Sequence, residues 1–331
     1  MNTATKLGAF TLGLAAVFGG AVGVGNLTGP VGSTAEASSG GHGGDHGTTK
    51  NGKSGKSGKH GADTPTPVPG GLQVSQDGYT LTPATTTVRP GEKTDFRFTV
   101  TGRDGKPVTD YQPLHGKKLH LIVARRDLSG FQHLHPVEAG GGVWSIPLTL
   151  PTAGTYRFFT DIKPAGAAQQ LTLGTDVVAP GNYEPAALPK AEQVAKVDGY
   201  EVKLNGILTP GRTSKLTLSV SKDGEPVTDL QPYLEAYGHL VALRDRDLAY
   251  LHVHPDGEPG DGKTSPGPDI TFYAEVPSTG AYRLYLDFQH AGKVRTAEFT
   301  ALAGDAQAPQ APAEDEPAEQ PVGHDADGHT H

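Results

Sequence analysis

Two stretches of the chain carry imidazoles at a spacing that suits a metal ion. His120 precedes His133 and His135 in the first, and His239 precedes His252 and His254 in the second. Each trio ends in a His-x-His-Pro run closed by Pro136 or Pro255. A hairpin turning near Asp127–Leu128 sets His120 opposite His135 and Ile122 opposite His133. The same reading sets His239 opposite His254 and Val241 opposite His252. Residues i and i+2 share a face of a strand, and so do directly opposed residues. All three imidazoles of each trio therefore project to one side, unless a one-residue slip sends the first to the other.

Three imidazoles on one face make a first shell for Zn²⁺ or Cu²⁺, at roughly 2.0–2.1 Å per Zn–N bond. Asp161 and Asp287 sit near the end of a later aromatic strand. Each is expected as a fourth ligand or as the acceptor that fixes a histidine tautomer. Such donors favour Cu²⁺ over Zn²⁺ at equal supply. The plainer alternative is that histidines beside the two prolines close a strand end by donating to backbone carbonyls. Duplication would copy such scaffold residues as faithfully as ligands.

The elements that position these residues repeat. DGKPVTDYQPLHGKKLHLIVARRDLSGFQHLHP, residues 104–136, aligns without a gap to DGEPVTDLQPYLEAYGHLVALRDRDLAYLHVHP, residues 223–255. Further on, GTYRFFTDIKPAG at 154–166 matches GAYRLYLDFQHAG at 280–292. The period is the size of a whole β-sandwich rather than a solenoid repeat. Short β-branched and aromatic runs recur at 94–100, 118–124, 143–150, 155–162 and 170–178, and again at 215–220, 239–244, 270–276, 282–288 and 295–302. Asp-Gly, Pro-Gly and other glycine turns separate them. The expected fold is all-β: two tandem immunoglobulin-like or cupredoxin-like sandwiches. Tyr156, Phe158, Tyr282, Leu284 and Trp144 are expected in the cores, and the charged residues Arg125–Asp127 and Arg244–Asp247 at solvated hairpin tips.

Composition narrows the chemistry. There is no cysteine among the 331 residues, which excludes disulfides, thiolate nucleophiles and blue-copper centres. Met1 is the single methionine, so a Met-lined Cu(I) site is excluded too. Neither G-x-S-x-G nor H-E-x-x-H nor a phosphate-binding glycine loop occurs, and no enzyme is expected. Net charge is −8, without a basic, aromatic-interleaved stripe, so nucleic acid is not an expected partner.

Leu7–Val24 runs without a charge, and residues 1–37 are expected as a signal peptide or an N-terminal transmembrane anchor. A Gly/Ser/Lys/His linker follows at 38–70, then one module at 71–180, a linker at 181–197, a second module at 198–303, and an acidic tail at 304–331. Both low-complexity ends are expected to stay unfolded, because they are too polar to offset their ordering entropy. Their histidines (His42, His46 and His60 at one end, HDADGHTH at the other) add weak chelating capacity.

In Gly238-His239, His252-Val253-His254-Pro255 and Phe288-Gln289-His290, the second module resembles a β-sandwich unit of bacterial extracytoplasmic proteins loosely labelled heavy-metal- or copper-associated. The first copy departs from it, with Lys118-Leu119-His120 for the Gly-His pair and Asp161-Ile162-Lys163-Pro164 without the last histidine. The resemblance implies an extracytoplasmic or membrane-anchored location and favours the second module for metal. The expected function is buffering or delivery of Cu²⁺ or Zn²⁺ outside the cytoplasm, with an envelope protein as partner. The alternative is a structural or adhesion-type envelope protein whose histidines only hold the fold.

Overall fold

Apolar alternation in the described residues resolves into strands alone. The computed structural model describes residues 68–304, apart from His252 and the side chain of His254. The leader, the first linker up to residue 67 and the tail from residue 305 lie outside that range. No helix among the described residues is long and apolar enough to cross a membrane.

The first module runs β1 (Ser75–Gln76), β2 (Tyr79–Pro83), β3 (Thr94–Thr101), β4 (Leu119–Arg125) and β5 (Gln132–Leu134). It continues through β6 (Val137–Gly140), β7 (Val143–Leu148), β8 (Gly154–Ile162) and β9 (Leu171–Ala179). One sheet is ordered β1-β2-β3-β7-β6 and the other β5-β4-β8-β9, all antiparallel. Phe96, Phe98, Leu121, Trp144 and Phe158 fill the space between them.

The second module repeats the plan. It runs β10 (Val194–Val197), β11 (Tyr200–Asn205), β12 (Thr213–Lys222), β13 (Glu225–Pro226) and β14 (Gly238–Arg244). Then come β15 (Tyr250–Leu251), β16 (Val253–Pro255), β17 (Asp269–Glu275), β18 (Gly280–His290) and β19 (Lys293–Ala303). Its sheets are β10-β11-β12-β17-β16, with β13 on β12, and β15-β14-β18-β19. Phe272, Tyr282, Leu284 and Phe288 lie at its centre.

In both modules a tyrosine early in the long strand bonds back to the chain four residues upstream. Tyr156 Oη donates to the Thr152 carbonyl at 3.0 Å, and Tyr282 Oη to the Ser278 carbonyl at 2.8 Å. This corner is a hallmark of immunoglobulin-like sandwiches. The fold is thus two tandem sandwiches of that kind. Residues 194–197, expected in a linker, form β10 instead, because Val194–Val197 pairs with Tyr200–Lys203 across a tight Asp198-Gly199 turn.

The central strands β4 and β8 of one sheet and β14 and β18 of the other are buried on both faces. Alternate residues of β4 face opposite ways: Leu119, Leu121 and Val123 enter the module core, while Ile122 and Ala124 join a third cluster. That cluster is shared, with Phe159 and Leu128 from the first module and Val241, Leu243, Leu248 and Tyr285 from the second. Phe131 stacks on Tyr285 at a centroid distance of 3.9 Å, a cross-module pair. Gly71 also belongs to this seam. It has φ +74°, and a Cβ there would lie 2.3 Å from the Phe159 ring.

Correspondingly, the hairpin tips are only partly solvated: the Arg246 side chain is 83% exposed, but other tip residues are covered. Leu128 and Leu248, both at positive φ, are buried in the seam. Arg125 is buried behind Leu128, paired with Asp127 at 2.7 Å and donating to Thr152 Oγ1 at 2.8 Å. Arg244 makes the matching pair with Asp247 and donates to Ser278 Oγ at 2.9 Å.

A seam built from eight buried apolar side chains should couple the unfolding of the two modules. Calorimetry of the full chain is expected to give one transition. Val241→Asp, which buries a lone carboxylate in the seam, should split it into two or lower its midpoint steeply. A single unshifted transition in that variant would contradict the shared core.

Candidate functional site

His120 continues the outward row of β4, one step before Ile122 and Ala124, and His239 stands likewise before Val241 and Leu243 on β14. Both histidines therefore point into the seam. The expected register holds where the first hairpin is paired: Ile122 lies opposite His133 and Leu121 opposite Leu134. In the second, Ala242 lies opposite Leu251 and Leu243 opposite Tyr250. Beyond that the chain changes sheets. His254 pairs through its backbone with Tyr273 of β17, not with His239, because β16 belongs to the larger sheet. His252 and the His254 side chain lie outside the described residues, so the second trio is traced only through His239.

The first trio converges. One ring nitrogen each of His120, His133 and His135 lies within 4.8 Å of the others. His120 Nδ1 is 3.0 Å from His133 Nε2 and 3.2 Å from His135 Nε2. The outer nitrogens are held from behind. His120 Nε2 donates to the Leu114 carbonyl at 2.8 Å, and His133 Nδ1 bonds Asp287 Oδ2 at 2.8 Å. That carboxylate belongs to the second module, where Asp287 Oδ1 accepts Thr296 Oγ1 at 2.6 Å.

Asp161, the expected carboxylate partner of the first trio, has another arrangement. Its Oδ1 accepts from Gln170 Nε2 at 2.7 Å and Thr172 Oγ1 at 3.0 Å. It lines the same cavity as His120 and His133, but the bond to His133 comes from across the seam. The aspartate bonded to His133 is thus the second module's Asp287, while Asp161 stands beside His120 on the paired strand. Face-to-face packing of the duplicated sheets brings Asp287 beside the other copy's histidine.

The mirrored histidine is held in the same way as its counterpart. His239 Nε2 donates to the carbonyls of Tyr233 at 2.9 Å and Leu234 at 3.0 Å, as His120 does to Leu114. His115 was an unmatched extra in the sequence, yet its ring lies 5.4 Å from that of His239 and 6.2 Å from that of His120. Its only sequence signal was nearness to His120. His290 is engaged elsewhere, with Tyr200 Oη at 2.8 Å and Asp229 at 3.0 Å. Around the cluster lies a cavity of about 40 Å³, lined by His115, His120, His133, Asp161, His239 and Tyr250 among others. It has room for an ion or a water, not for an organic substrate.

The residues that match a known family are those of the two sandwiches. A family model described as a domain of unknown function (DUF8832) matches residues 73–179 and 195–305, more than half of the chain. The chain belongs to the DUF8832 family. Its two copies of the domain cover the strands of the described residues, save Val194 at the start of β10. No curated protein matches the sequence.

Among solved structures the DUF8832 chain is similar to the Escherichia coli adhesin FdeC, at 16% identity and TM-score 0.22 over 70% of this chain and 65% of that one. It is similar to the Yersinia pseudotuberculosis adhesin InvE at 13% identity and TM-score 0.21, over 70% and 60%. A putative membrane anchored protein from Corynebacterium diphtheriae matches at 10% identity and TM-score 0.21, over 72% and 61%. The chain thus spans less than two thirds of each of these proteins. None of these descriptions mentions a heavy metal or copper.

Burial governs the protonation of the cluster. It pushes His120 down to about 4, against the pull of the Leu114 carbonyl. It pushes His239 down to about 4 and His135 to about 3, with neighbouring His133 adding to both. All three have folded-state values below the ordinary 6.5, so the unfolded chain binds more protons between those limits. Their stabilising contribution is complete above about pH 6.5 and is lost as pH falls towards 4. In chelator, the melting temperature is expected to fall by on the order of 10 °C between pH 7 and pH 5. His120→Gln/His239→Gln should flatten that slope. A flat profile in the wild type would show that these rings protonate freely in the folded chain.

Proposed function

We propose that this chain is a non-enzymatic structural unit of the cell envelope, of the adhesion-supporting kind, in which two β-sandwiches act as one stiff body. The observation that carries this reading is the seam. Two sheets that would otherwise each expose an outer apolar face bury it against each other, and the His133–Asp287 bond crosses the same boundary. Tandem sandwiches joined only by a linker would move independently. These two share a core, and the connecting segment is itself pinned where the Ala186 amide donates to Asp127 Oδ2 at 2.7 Å.

The uncharged run at Leu7–Val24 supports placement outside the cytoplasm, by export or by anchoring. The partner in this reading is another envelope or surface protein. Buffering or delivery of Cu²⁺ or Zn²⁺ is less well supported, because ions must then enter and leave readily. His120 and His239 are only 5% and 8% exposed, which suits a fixed role.

The absence of cysteine makes the reading testable with introduced thiols. Val137 in the first module and Ile207 in the second are exposed positions for Val137→Cys/Ile207→Cys. Spin labels there are expected to give one narrow distance distribution. A membrane-impermeant maleimide should label both thiols on intact cells. A broad distribution would contradict the stiff body, and labelling only after lysis would contradict the envelope location.

A further inference from the structure

The seam holds a charge problem that packing does not solve. The Leu114 carbonyl can only accept, so His120 carries its hydrogen on Nε2 and turns a bare Nδ1 lone pair inward. His133 donates its Nδ1 hydrogen to the Asp287 carboxylate and turns Nε2 inward. Those two inward nitrogens are 3.0 Å apart, closer than two lone pairs tolerate without a positive centre between them. His135 Nε2 brings a third nitrogen to within 3.2 Å of the same His120 Nδ1. A shared proton bridges one pair, and a lone pair on Nδ1 serves one donor well. A cation serves all three at once.

The spacing fits such an ion. Tetrahedral bonds of roughly 2.0–2.1 Å separate nitrogen ligands by about 3.3 Å, close to the observed contacts. The surroundings fit as well. Metal-bound imidazoles commonly donate their second N–H to a carbonyl or carboxylate, which fixes the tautomer and raises ligand basicity. Leu114 and Asp287 supply one of each.

We infer that His120, His133 and His135 bind one borderline divalent cation, of the Zn²⁺ or Cu²⁺ class, and that Asp287 of the second module orients His133, so that the ion staples the two sandwiches together. The centre is composite, not one independent site per module. Three nitrogens come from the first copy, and the carboxylate behind them comes from the second. His239, whose ring lies 6.3 Å from that of His133, brings an imidazole of the second module to the cavity that His120 and His133 line. Hard, oxygen-preferring cations such as Mg²⁺ and Ca²⁺ do not suit this donor set. The inference goes beyond the stiff-body reading, because the apolar seam holds without an ion.

The test is calorimetric titration of the full chain with Zn²⁺, Cu²⁺ and Mg²⁺. The six histidines of the two low-complexity ends are first replaced by alanine, to silence weak chelation. One tight Zn²⁺ or Cu²⁺ per chain is expected, with no Mg²⁺ uptake. His133→Ala should weaken binding at least 100-fold, and Asp287→Asn roughly 10–100-fold, as removal of an orienting partner does. His290→Ala should change nothing. Bound ion should raise the melting temperature of the single transition, and melting in chelator reports whether each variant folds. Absence of saturable binding, leaving only a shared proton among the rings, would overturn the inference, as would affinity unchanged by His133→Ala. Two equal sites indifferent to Asp287→Asn would also overturn it, in favour of separate centres. Loss of the metal result with a narrow spin-label distance would leave the stiff body standing.

Discussion

The structure depends on one constraint: a β-sheet that is apolar on both faces must be covered on both. β4 and β14 each present core residues on one side and Ile122, Ala124, Val241 and Leu243 on the other. Neither sandwich can satisfy its outer face alone, and each offers the other a surface of the same shape because both descend from one sequence. Burial of those faces is favourable in proportion to the apolar area removed from water. Once they meet, everything at the ends of the same strands meets too. The histidines at the head of each outward row arrive in the seam by this geometry.

Polar groups in such a place are costly unless paired. The chain answers with carbonyls from the loops ahead of β4 and β14, and with the Asp287 carboxylate. The arrangement is coherent across the two copies for His120 and His239, each held by a carbonyl six residues upstream. Asp161 and Asp287 are likewise each braced by a threonine on the neighbouring strand, Thr172 and Thr296. A seam held by apolar contact alone would slide more easily. The directional bonds across it fix the relative placement of the sandwiches.

Much of the fold is legible in the sequence. The long strands follow from β-branched and aromatic runs, and the hairpin register at Ile122–His133 follows from the alternation of faces. The short strands β1, β5, β6, β13, β15 and β16 carry too few residues to show a period. The switch of β16 to the larger sheet leaves no local mark either, since it is decided by which neighbour is free to pair. The seam did leave a signal. Alternation fails in LIVA at 121–124, FF at 158–159 and LYL at 284–286, where successive residues are all apolar or aromatic, and that is the mark of strands covered on both sides. Read that way, it implies that Arg125 and Leu128 lie under a second layer instead of at a wet tip. What no local pattern reveals is the identity of the cover, so the bond from His133 to Asp287, 154 positions away, emerges only in three dimensions.

The central claim is that the two copies are energetically one object, joined where His133 meets Asp287. A double-mutant cycle with His133→Ala, Asp287→Ala and the pair, read by denaturant unfolding in chelator, addresses it most directly. Residues in contact couple by about 0.5–3 kcal/mol, whereas independent sites add to within about 0.5 kcal/mol. The seam predicts a coupling of about 1 kcal/mol or more between these two residues of different modules. Simple additivity would contradict it.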